Sequence, residues 1–465
     1  MTQQASVRRP RSFTRQLMTT AVALGAAGAM VAASPSGPTK EDHGFQERDL
    51  VSDLPGRAEK TDPHLVNPWG LVTKRTGEIL VSDNGSDLAT SYDGARPGKP
   101  VNILSEVVSI PPGGAPTGVI RNDTDEFKFS GFGNTGPARF IFAGEDGDIF
   151  AFNPEVSATE AFRVHENSDG EDAVFKGLTL VSGKKKEKKE GDAKVQGNAT
   201  VQGNTPVQGN TPVQGNTTVQ ANPTVKANPT VQANPTVQAN PTVQANPTVK
   251  GNTTVQANPT VQGNTTVQAG NGDEKKAKPK LLVANFRDAR IDVFDTNFDL
   301  VPSDGKFEDP GILDGFAPFD VKLIGSRVFV TYAMQDADKH DDVAGPGNGF
   351  INVFDTEGKL LQRFASQGVL NSPWGLEVAP KGFGKFANDL LVGNFGDGHI
   401  NVFDLHSGKF KGTLSDPNGV PIEIPGLWGL QRGTERSGGK ESVWFAAGIN
   451  GEQNGLLGTL RAAKS

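Results

Sequence analysis

The fold is decided by residues 372–414, which read SPWGLEVAPKGFGKFANDLLVGNFGDGHINVFDLHSGKFKGTL. The opening Pro-Trp-Gly-Leu is followed by a short apolar run, Leu390–Phe395, and then by Gly-Asp-Gly, which is typical of a turn. Ile400–Asp404 alternates apolar and polar side chains, as a half-buried strand does. A second turn precedes a last short strand, residues 409–414. The segment therefore predicts four short antiparallel strands.

Five other segments of the chain open in the same way. These segments are Asn67–Leu71, Ala115–Val119, Phe175–Leu178, Ala317–Val321 and Gly426–Leu430. Once residues 182–280 are set aside, the six openings recur about every 50 residues, a repeat length typical of β-propeller blades. Units this short are too small to fold as separate sandwich domains. We therefore predict an all-β fold, a six-bladed β-propeller.

The last unit offers only three strands before the chain ends at Ser465. An incomplete blade would leave an unpaired strand edge, which invites aggregation. The segment Phe45–Leu54 precedes the first unit and has the length of a strand. We predict that it is the outer strand of the last blade and closes the ring.

Residues 182–280 form a low-complexity insertion inside the third blade. Between Val195 and Thr266 the hexapeptide VQGNAT and its variants recur in 12 copies, and lysine-rich segments flank them. A valine in every sixth position resembles the hexapeptide rule of left-handed β-helices, in which three hexapeptides form one coil. Burial of one valine per repeat contributes less free energy than the conformational entropy that is lost when six residues become ordered. A disordered insertion and a small β-solenoid therefore both remain open.

The N-terminus has the pattern of an export signal. Arg8, Arg9, Arg11 and Arg15 precede an apolar stretch that ends at Ala33, and this order is typical of secretory signals. We predict a signal peptide over residues 1–33, recognised by the Sec or the twin-arginine route, then a flexible segment, 34–44. The propeller would comprise residues 45–181 and 281–465. No membrane span is expected after cleavage.

Composition excludes several kinds of site and partner. The chain has no cysteine and six histidines, which excludes disulfides, thiol nucleophiles and zinc–cysteine sites. Its net charge is −7, although the insertion carries 12 lysines against 5 acidic residues. The propeller itself is therefore strongly acidic and would repel the phosphates of nucleic acids.

Several long motifs resemble those of a known family. They include NPWGL, APFDV, LNSPWGLEVAP, LLVGNFGDGHINVFD and GLWGL, together with the run from Thr331 to Gly349. In these motifs the chain resembles a family of uncharacterised exported bacterial proteins, some of which carry a C-terminal PEP-CTERM sorting tail. The resemblance spans Asp49 to Leu460 outside the insertion. It implies a propeller similar to NHL-repeat and lactonase-type propellers, and it implies no particular activity.

Polar residues recur at matched turns of the blades. The candidates for a metal site are Asp83, Glu145, Asn285, Asp336 and Asn394. Oxygen ligands from different blades could surround a hard cation such as calcium. The alternative is ordinary turn chemistry, because Asn, Asp and Gly favour tight turns without any ligand.

The loop between Gln335 and Asp342 is the densest candidate site. It contains Asp338, His340 and Asp341 as well. Crowded acids raise one another's pKa, which suits acid–base chemistry or cation binding; the alternative is a solvated acidic loop. The three tryptophans of the blade openings are expected to pack between blades, or else to form a platform on which a sugar stacks.

Three functions are compatible with these observations. The first is an exported binding or scaffold module that recognises an extracellular ligand or a component of the cell surface. The second is a calcium-dependent hydrolase or lactonase with its site at the mouth of the propeller channel. The third is an adhesin-like component whose hexapeptide arm makes the contacts. No nucleophile elbow, P-loop or dinucleotide-binding motif is present, which favours the first function.

Overall fold

A computed structural model describes residues 44–167, 173–181, 278–303 and 305–463, together with the backbone of short strands between residues 195 and 268. The predicted signal peptide, residues 1–33, lies outside the described residues, as does almost all of the segment 34–44. Among the described residues, no helix is long and apolar enough to cross a membrane.

Six sheets, one for each blade, make up the propeller. In five of them the four blade strands are antiparallel and follow one another in sequence order, and in the sixth a strand from the start of the chain completes the blade. The first blade comprises Pro68–Thr73, Ile79–Asp83, Leu88–Gly94 and Val101–Ile103. The second comprises Pro116–Arg121, Phe140–Gly144, Ile149–Phe152 and Phe162–His165. The third comprises Phe175–Val181, Lys280–Asn285, Arg290–Phe294 and Leu300–Val301.

The other three blades follow the same plan. The fourth comprises Phe316–Ile324, Arg327–Met334, Gly349–Asp355 and Leu360–Ser366. The fifth comprises Pro373–Val378, Leu390–Asn394, Ile400–Phe403 and Phe410–Thr413. The sixth comprises Leu427–Arg432, Ser442–Gly448, Asn454–Ala462 and, from the start of the chain, Phe45–Ser52.

Short elements decorate the blades. The described ones are the strands Lys60–Thr61 and Val108–Ser109, the hairpin Lys128–Gly131 with Asn134–Pro137, the 3-10 turns Asn84–Ser86 and Gly384–Phe386, and the single helical turn Ile449–Glu452.

The first strand of every blade lies innermost, and these six inner strands form a closed ring. Each contacts the inner strands of the blades before and after it, and the strand Pro68–Thr73 contacts that of the sixth blade, Leu427–Arg432. The prediction of an all-β, six-bladed propeller is confirmed. The inner strands surround a central channel.

Alternating side chains pack each blade against both of its neighbours. In the fifth blade, Leu391 and Val402 pack with Leu427 and Val443 of the sixth blade. The next residue on the same strand, Leu390, packs on the other side with Phe329 of the fourth blade. The two-residue period of the sequence therefore builds two separate cores from one strand.

The ends of the chain meet in the sixth blade. Phe45–Ser52 pairs in antiparallel register with Asn454–Ala462, so that Phe45 lies opposite Ala462 and Ser52 opposite Leu456. Phe45, Leu50 and Val51 are buried. The N-terminal segment supplies the fourth strand of this blade, as the strand count predicts.

The insertion joins two adjacent strands of the third blade. Val181 is paired directly with Lys280 where the chain leaves the blade and returns to it. Within the insertion, the described short strands pair in parallel with partners 18 residues away, for example Val195 with Val213. They form three sheets. This spacing, three hexapeptides, is that of the solenoid alternative.

Removing residues 182–279 and joining Val181 to Lys280 by a two-residue Asn-Gly turn should leave the propeller folded. The two residues are cross-strand partners, so a hairpin turn can span the gap. We expect cooperative thermal unfolding with a midpoint within about 3 °C of that of the full chain. Loss of cooperative melting would show that the insertion is part of the propeller core.

Candidate ligand site at the mouth of the channel

One end of the channel collects most of the predicted site residues. The inner strands begin at this end and the second strands of the blades finish there, for example at Asp83 and Asn394. We call this end the upper mouth. Loops from different blades can therefore direct side chains toward the same axis.

Three tryptophans fill the channel just below the upper mouth. Trp69 and Trp428 are stacked with ring centroids 3.5 Å apart, and Trp374 packs edge-on against both. Each side chain is buried, with 1–4% of its surface exposed. The three rings contact one another on the channel axis rather than lying between blades, and none offers an exposed face to a sugar. We call them the tryptophan plug.

A buried lysine lies on top of the plug. Lys176 occupies the position of the tryptophans in its own blade opening, and its side chain is 2% exposed. Its Nζ lies 5.3 Å from the centroid of the Trp69 ring, 2.5 Å from Glu145 Oε1 and 3.4 Å from Asp341 Oδ1. Burial alone would lower the pKa of Lys176, but the two carboxylates outweigh it and the pKa is raised.

His340 adds an imidazole to this cluster. Its Nδ1 lies 3.0 Å from Asp341 Oδ1, and this hydrogen bond raises the pKa of His340 against the opposing effect of burial. Burial would raise the pKa of Asp341, but His340 and Lys176 lower it to about 2. Ligand atoms of Glu145, His340 and Asp341 all lie within 4.8 Å of one another.

Two further acids, Asp342 and Glu452, lie in the same group of residues. We call the whole group the axial cluster: Glu145, Lys176, His340, Asp341, Asp342 and Glu452. Burial, reinforced by the negative charge of Glu145, raises the pKa of Glu452 to about 7. Burial also raises the pKa of Asp342, whose Oδ2 has no hydrogen-bond partner among the described residues. Near neutral pH the cluster therefore combines ionised and protonated carboxyl groups.

Glu452 reaches the cluster from a strained turn. Asn450, Gly451 and Glu452 all have positive φ angles, of 56°, 66° and 67°. A non-glycine residue in this region costs free energy, and such residues concentrate at functional sites.

Two asparagines connect the acids of different blades. Asn84 donates from Nδ2 to Glu145 Oε2 (3.3 Å) and to the carbonyl of Ala115 (3.1 Å). Asn67 donates from Nδ2 to Asn84 Oδ1 (3.2 Å) and to Glu452 Oε2 (3.4 Å). This chain of amides links the first, second and sixth blades.

The structure does not bring the five predicted metal ligands together. Glu145 belongs to the axial cluster, whereas the other four candidates form hydrogen bonds within turns or with neighbouring segments. Asp83 accepts from Thr90 (2.8 Å), and Asn285 donates to Asp292 (2.8 Å). Asn394 donates to the carbonyl of Val369 (2.8 Å). Asp336 accepts from the backbone N–H of His340 (2.9 Å).

The acidic loop contributes three residues to the cluster, His340, Asp341 and Asp342. Gln335 instead ties the loop to the third blade, because its Nε2 donates to the carbonyls of Phe286 (2.6 Å) and Arg287 (3.2 Å). Asp338 is exposed at the tip of the loop.

Lys176, Glu452 and Asn67 were not predicted from the sequence as members of a site. A signal for Lys176 was present, because it stands where three of the other openings have tryptophan and two have Thr117 and Phe319. A charged residue at such a core position needs a partner.

No family model matches this chain. It is 25% identical to uncharacterized protein R648 of Acanthamoeba polyphaga mimivirus over 443 residues, which cover 94% of this chain and 85% of that protein. It is 26% identical to uncharacterized protein L690 of the same virus over 436 residues, 92% of this chain and 88% of that protein. These relatives are viral, and the resemblance to exported bacterial proteins therefore stays a prediction.

The chain is also similar in structure to enzymes with propeller folds. Virginiamycin B lyase from Staphylococcus aureus matches with a TM-score of 0.40 and 10% identity, over 90% of this chain and 99% of that one. The α-L-arabinanase of Penicillium chrysogenum matches with a TM-score of 0.45 and 12% identity, over 90% and 98%. Similarity this low carries no argument about activity.

Proposed function

We propose that this protein is an exported binding propeller whose ligand site is the axial cluster, and that a divalent cation held by Glu145, His340 and Asp341 forms part of that site. The observation that carries the proposal is Lys176, a buried charge on the channel axis surrounded by acids from three other blades. A buried ion pair is weak evidence for a stabilising role, since replacing all of its members together by well-packed apolar side chains is often neutral or stabilising. A polar cluster with shifted pKa values, at the mouth of a channel that tryptophans line, is better explained by ligand binding.

The charges of the cluster favour a cationic ligand. Four carboxyl groups face one lysine and one histidine, and two of the carboxyl groups have raised pKa values. In the described structure Lys176 Nζ occupies the place beside Glu145 that a cation would take. Binding of a metal therefore requires Lys176 to move aside.

The donor set narrows the choice of metal. Calcium, the cation expected from the sequence, takes six to eight oxygen ligands. The three groups that lie together here include an imidazole nitrogen, which suits Mn²⁺ or Zn²⁺ better than Ca²⁺.

Isothermal titration of the full chain with MnCl₂ and with CaCl₂ tests the proposal. We expect Mn²⁺ to bind more tightly than Ca²⁺, and Glu145→Gln to weaken Mn²⁺ binding at least about tenfold. Asp338→Asn is the matched control, because it removes one exposed carboxylate of the neighbouring loop. Equal affinities in the wild type and Glu145→Gln, or no binding of either metal, would contradict the proposal.

A hydrolase or lactonase is the second candidate, and Glu452 favours it. A carboxyl group with a pKa of about 7 can hold or release a proton near neutral pH, as a general acid–base residue must. Incubation with a panel of esters and lactones in the presence of Mn²⁺ separates the two functions. Turnover that is lost in Glu452→Gln would establish the enzyme, whereas metal binding without turnover supports the binding module.

The proposed location and partner rest on the sequence. The basic and apolar pattern of residues 8–33 supports export, and the acidic propeller supports a partner other than nucleic acid. The expected partner is an extracellular ligand or a component of the cell surface. N-terminal sequencing of protein recovered outside the cytoplasm checks export and cleavage after Ala33.

A further inference from the structure

A second cavity lies on the other side of the tryptophan plug. We call it the lower cavity; it has a volume of about 340 Å³ and is lined by residues of all six inner strands, with Trp374 at the plug. A cavity of roughly 150 Å³ can hold a benzene molecule. The lower cavity is therefore large enough for a small organic ligand.

One residue interrupts a ring of glycines around this cavity. The residue before the last one of the blade opening is glycine in five blades, and the fourth blade has Asp320 instead. The five glycines are Gly70, Gly118, Gly177, Gly375 and Gly429. They allow neighbouring strands to approach closely, since a Cβ on Gly429 would come within 2.4 Å of the carbonyl oxygen of Trp69. Asp320 is therefore the only one of these six residues that has a side chain.

The Asp320 side chain is built into the cavity wall. Its Oδ1 lies 2.1 Å from where a Cβ of Gly177 would be, so that only glycine on the neighbouring strand leaves room for the carboxyl group. Asp320 is 7% exposed. The backbone N–H of Val321 lowers the pKa of the Asp320 carboxyl group, which has no salt-bridge partner within the described ranges. Asp309, by contrast, is paired with Arg363.

The positive charge of Lys322 lowers the pKa of Asp320 against the larger effect of burial, but no cation around the cavity forms an ion pair with Asp320 among the described residues. Lys322, on the same strand, donates to the carbonyls of Leu376 (2.5 Å) and Leu430 (3.4 Å) and approaches Glu377 Oε2 (3.4 Å). Arg121 pairs with Asp123. Lys176 on the neighbouring strand extends to the upper mouth. The cations at the rim of the cavity are therefore paired with other groups, and the Asp320 carboxyl group faces the cavity.

Aliphatic side chains line the cavity, together with the polar residues Thr73, Arg121, Thr179, Lys322 and Gln431. Each blade contributes one aliphatic side chain at the position after the glycine ring: Leu71, Val119, Leu178, Val321, Leu376 and Leu430. A single carboxylate is too few ligands for a hard metal ion. A primary ammonium group offers three N–H donors and a full positive charge, and a short alkyl chain matches the aliphatic wall.

We propose that the lower cavity binds a small primary alkylammonium compound, whose ammonium group pairs with the Asp320 carboxylate and whose alkyl chain contacts the aliphatic side chains. This site is separate from the axial cluster, from which the tryptophan plug divides it. Burial raises the pKa of Asp320 to about 7, so the carboxylate forms as the pH rises through that value. Binding of the alkylammonium compound should therefore strengthen as the pH rises.

The test is a calorimetric titration of the full chain with n-butylammonium chloride at pH 6 and pH 8. We expect affinity to rise about tenfold between the two, since roughly a tenth of Asp320 is ionised at pH 6 and most of it at pH 8. Asp320→Asn should weaken binding at pH 8 at least about tenfold, and Asp338→Asn should leave it unchanged.

Two comparisons make the result decisive. 1-Butanol has the same alkyl chain without the charge, and it should bind more weakly than n-butylammonium at pH 8. If the alcohol binds as tightly, or if affinity is the same at pH 6 and pH 8, Asp320 does not recognise the ligand and the proposal is wrong. The pH comparison uses the wild type, so it holds even if a variant fails to fold.

Discussion

A protein that begins at Pro55 should be close to unfolded in water, whereas one that begins at Gly44 should be as stable as the full chain. The shorter protein lacks the strand Phe45–Ser52, which closes the sixth blade. Its three buried side chains, Phe45, Leu50 and Val51, each contribute about 1.5–3 kcal/mol. The combined loss is on the order of the whole stability of a typical domain, about 5–15 kcal/mol.

Denaturant unfolding of the two truncated proteins, followed by circular dichroism, measures this effect. The strand also carries the ion pairs of Arg48 with Glu59 and of Asp49 with Arg57, but these side chains are partly exposed and contribute little. Identical denaturation midpoints for the two proteins would show that the N-terminal strand does not hold the ring closed.

Lys176→Met should destabilise the protein strongly at pH 8 and much less at pH 5. Removing one partner of a buried ion pair costs roughly 3–5 kcal/mol, because the remaining charges stay buried without compensation. At pH 8 Glu145, Asp341 and Glu452 would be left without their cation. At pH 5 Glu452, whose pKa is about 7, is protonated and the repulsion is smaller.

The sign of the pH dependence follows from the direction of each shift. Glu452 has a higher pKa in the folded than in the unfolded protein, so its ionisation removes stability as the pH rises from about 4.5 to about 7. Lys176 has a raised pKa and stays charged throughout this range. The difference between the wild type and Lys176→Met should therefore grow with pH.

The control for this experiment is Lys411→Met. Lys411 forms an ion pair of 2.6 Å with Asp389, but its side chain is 38% exposed. We expect this variant to lose no more than about 1 kcal/mol at either pH. Chemical denaturation gives the free energy of unfolding of each variant relative to the wild type at both pH values. A loss for Lys176→Met as small as that of the control would show that the axial cluster is not a tightly coupled buried site.

The fold could be predicted from the sequence because its information is local and repeated. The motif at Ser372–Leu376, the turn after Phe395 and the alternation in Ile400–Asp404 each specify one step of a blade, and six repetitions specify the number of blades. Closure was also predictable, because a count of strands shows which blade lacks one.

The site was only partly predictable because it depends on where side chains of different blades point. Asn394 ends the second strand of its blade and Glu145 is the first residue after the second strand of its own. Glu145 reaches Lys176, whereas Asn394 donates to the carbonyl of Val369. The sequence places both at a turn and does not distinguish the two directions. Lys176 and Asp320 were both visible as exceptions within the blade openings, and both were hidden by their place in an otherwise apolar motif.

The structure of the hexapeptide insertion could not be predicted for a different reason. Its period could be read from the sequence, but periodicity alone did not decide between disorder and a solenoid. The described strands pair 18 residues apart, and backbone hydrogen bonding of this kind adds stability that a count of buried valines omits.

The most direct test of the axial cluster as a ligand site is the anomalous scattering of crystals grown with MnCl₂. We expect a manganese peak at the upper mouth, coordinated by Glu145, His340 and Asp341, with Lys176 Nζ moved away from Glu145. If the crystals show Lys176 still bonded to Glu145 and no manganese at the upper mouth under saturating MnCl₂, the proposed cation site does not exist.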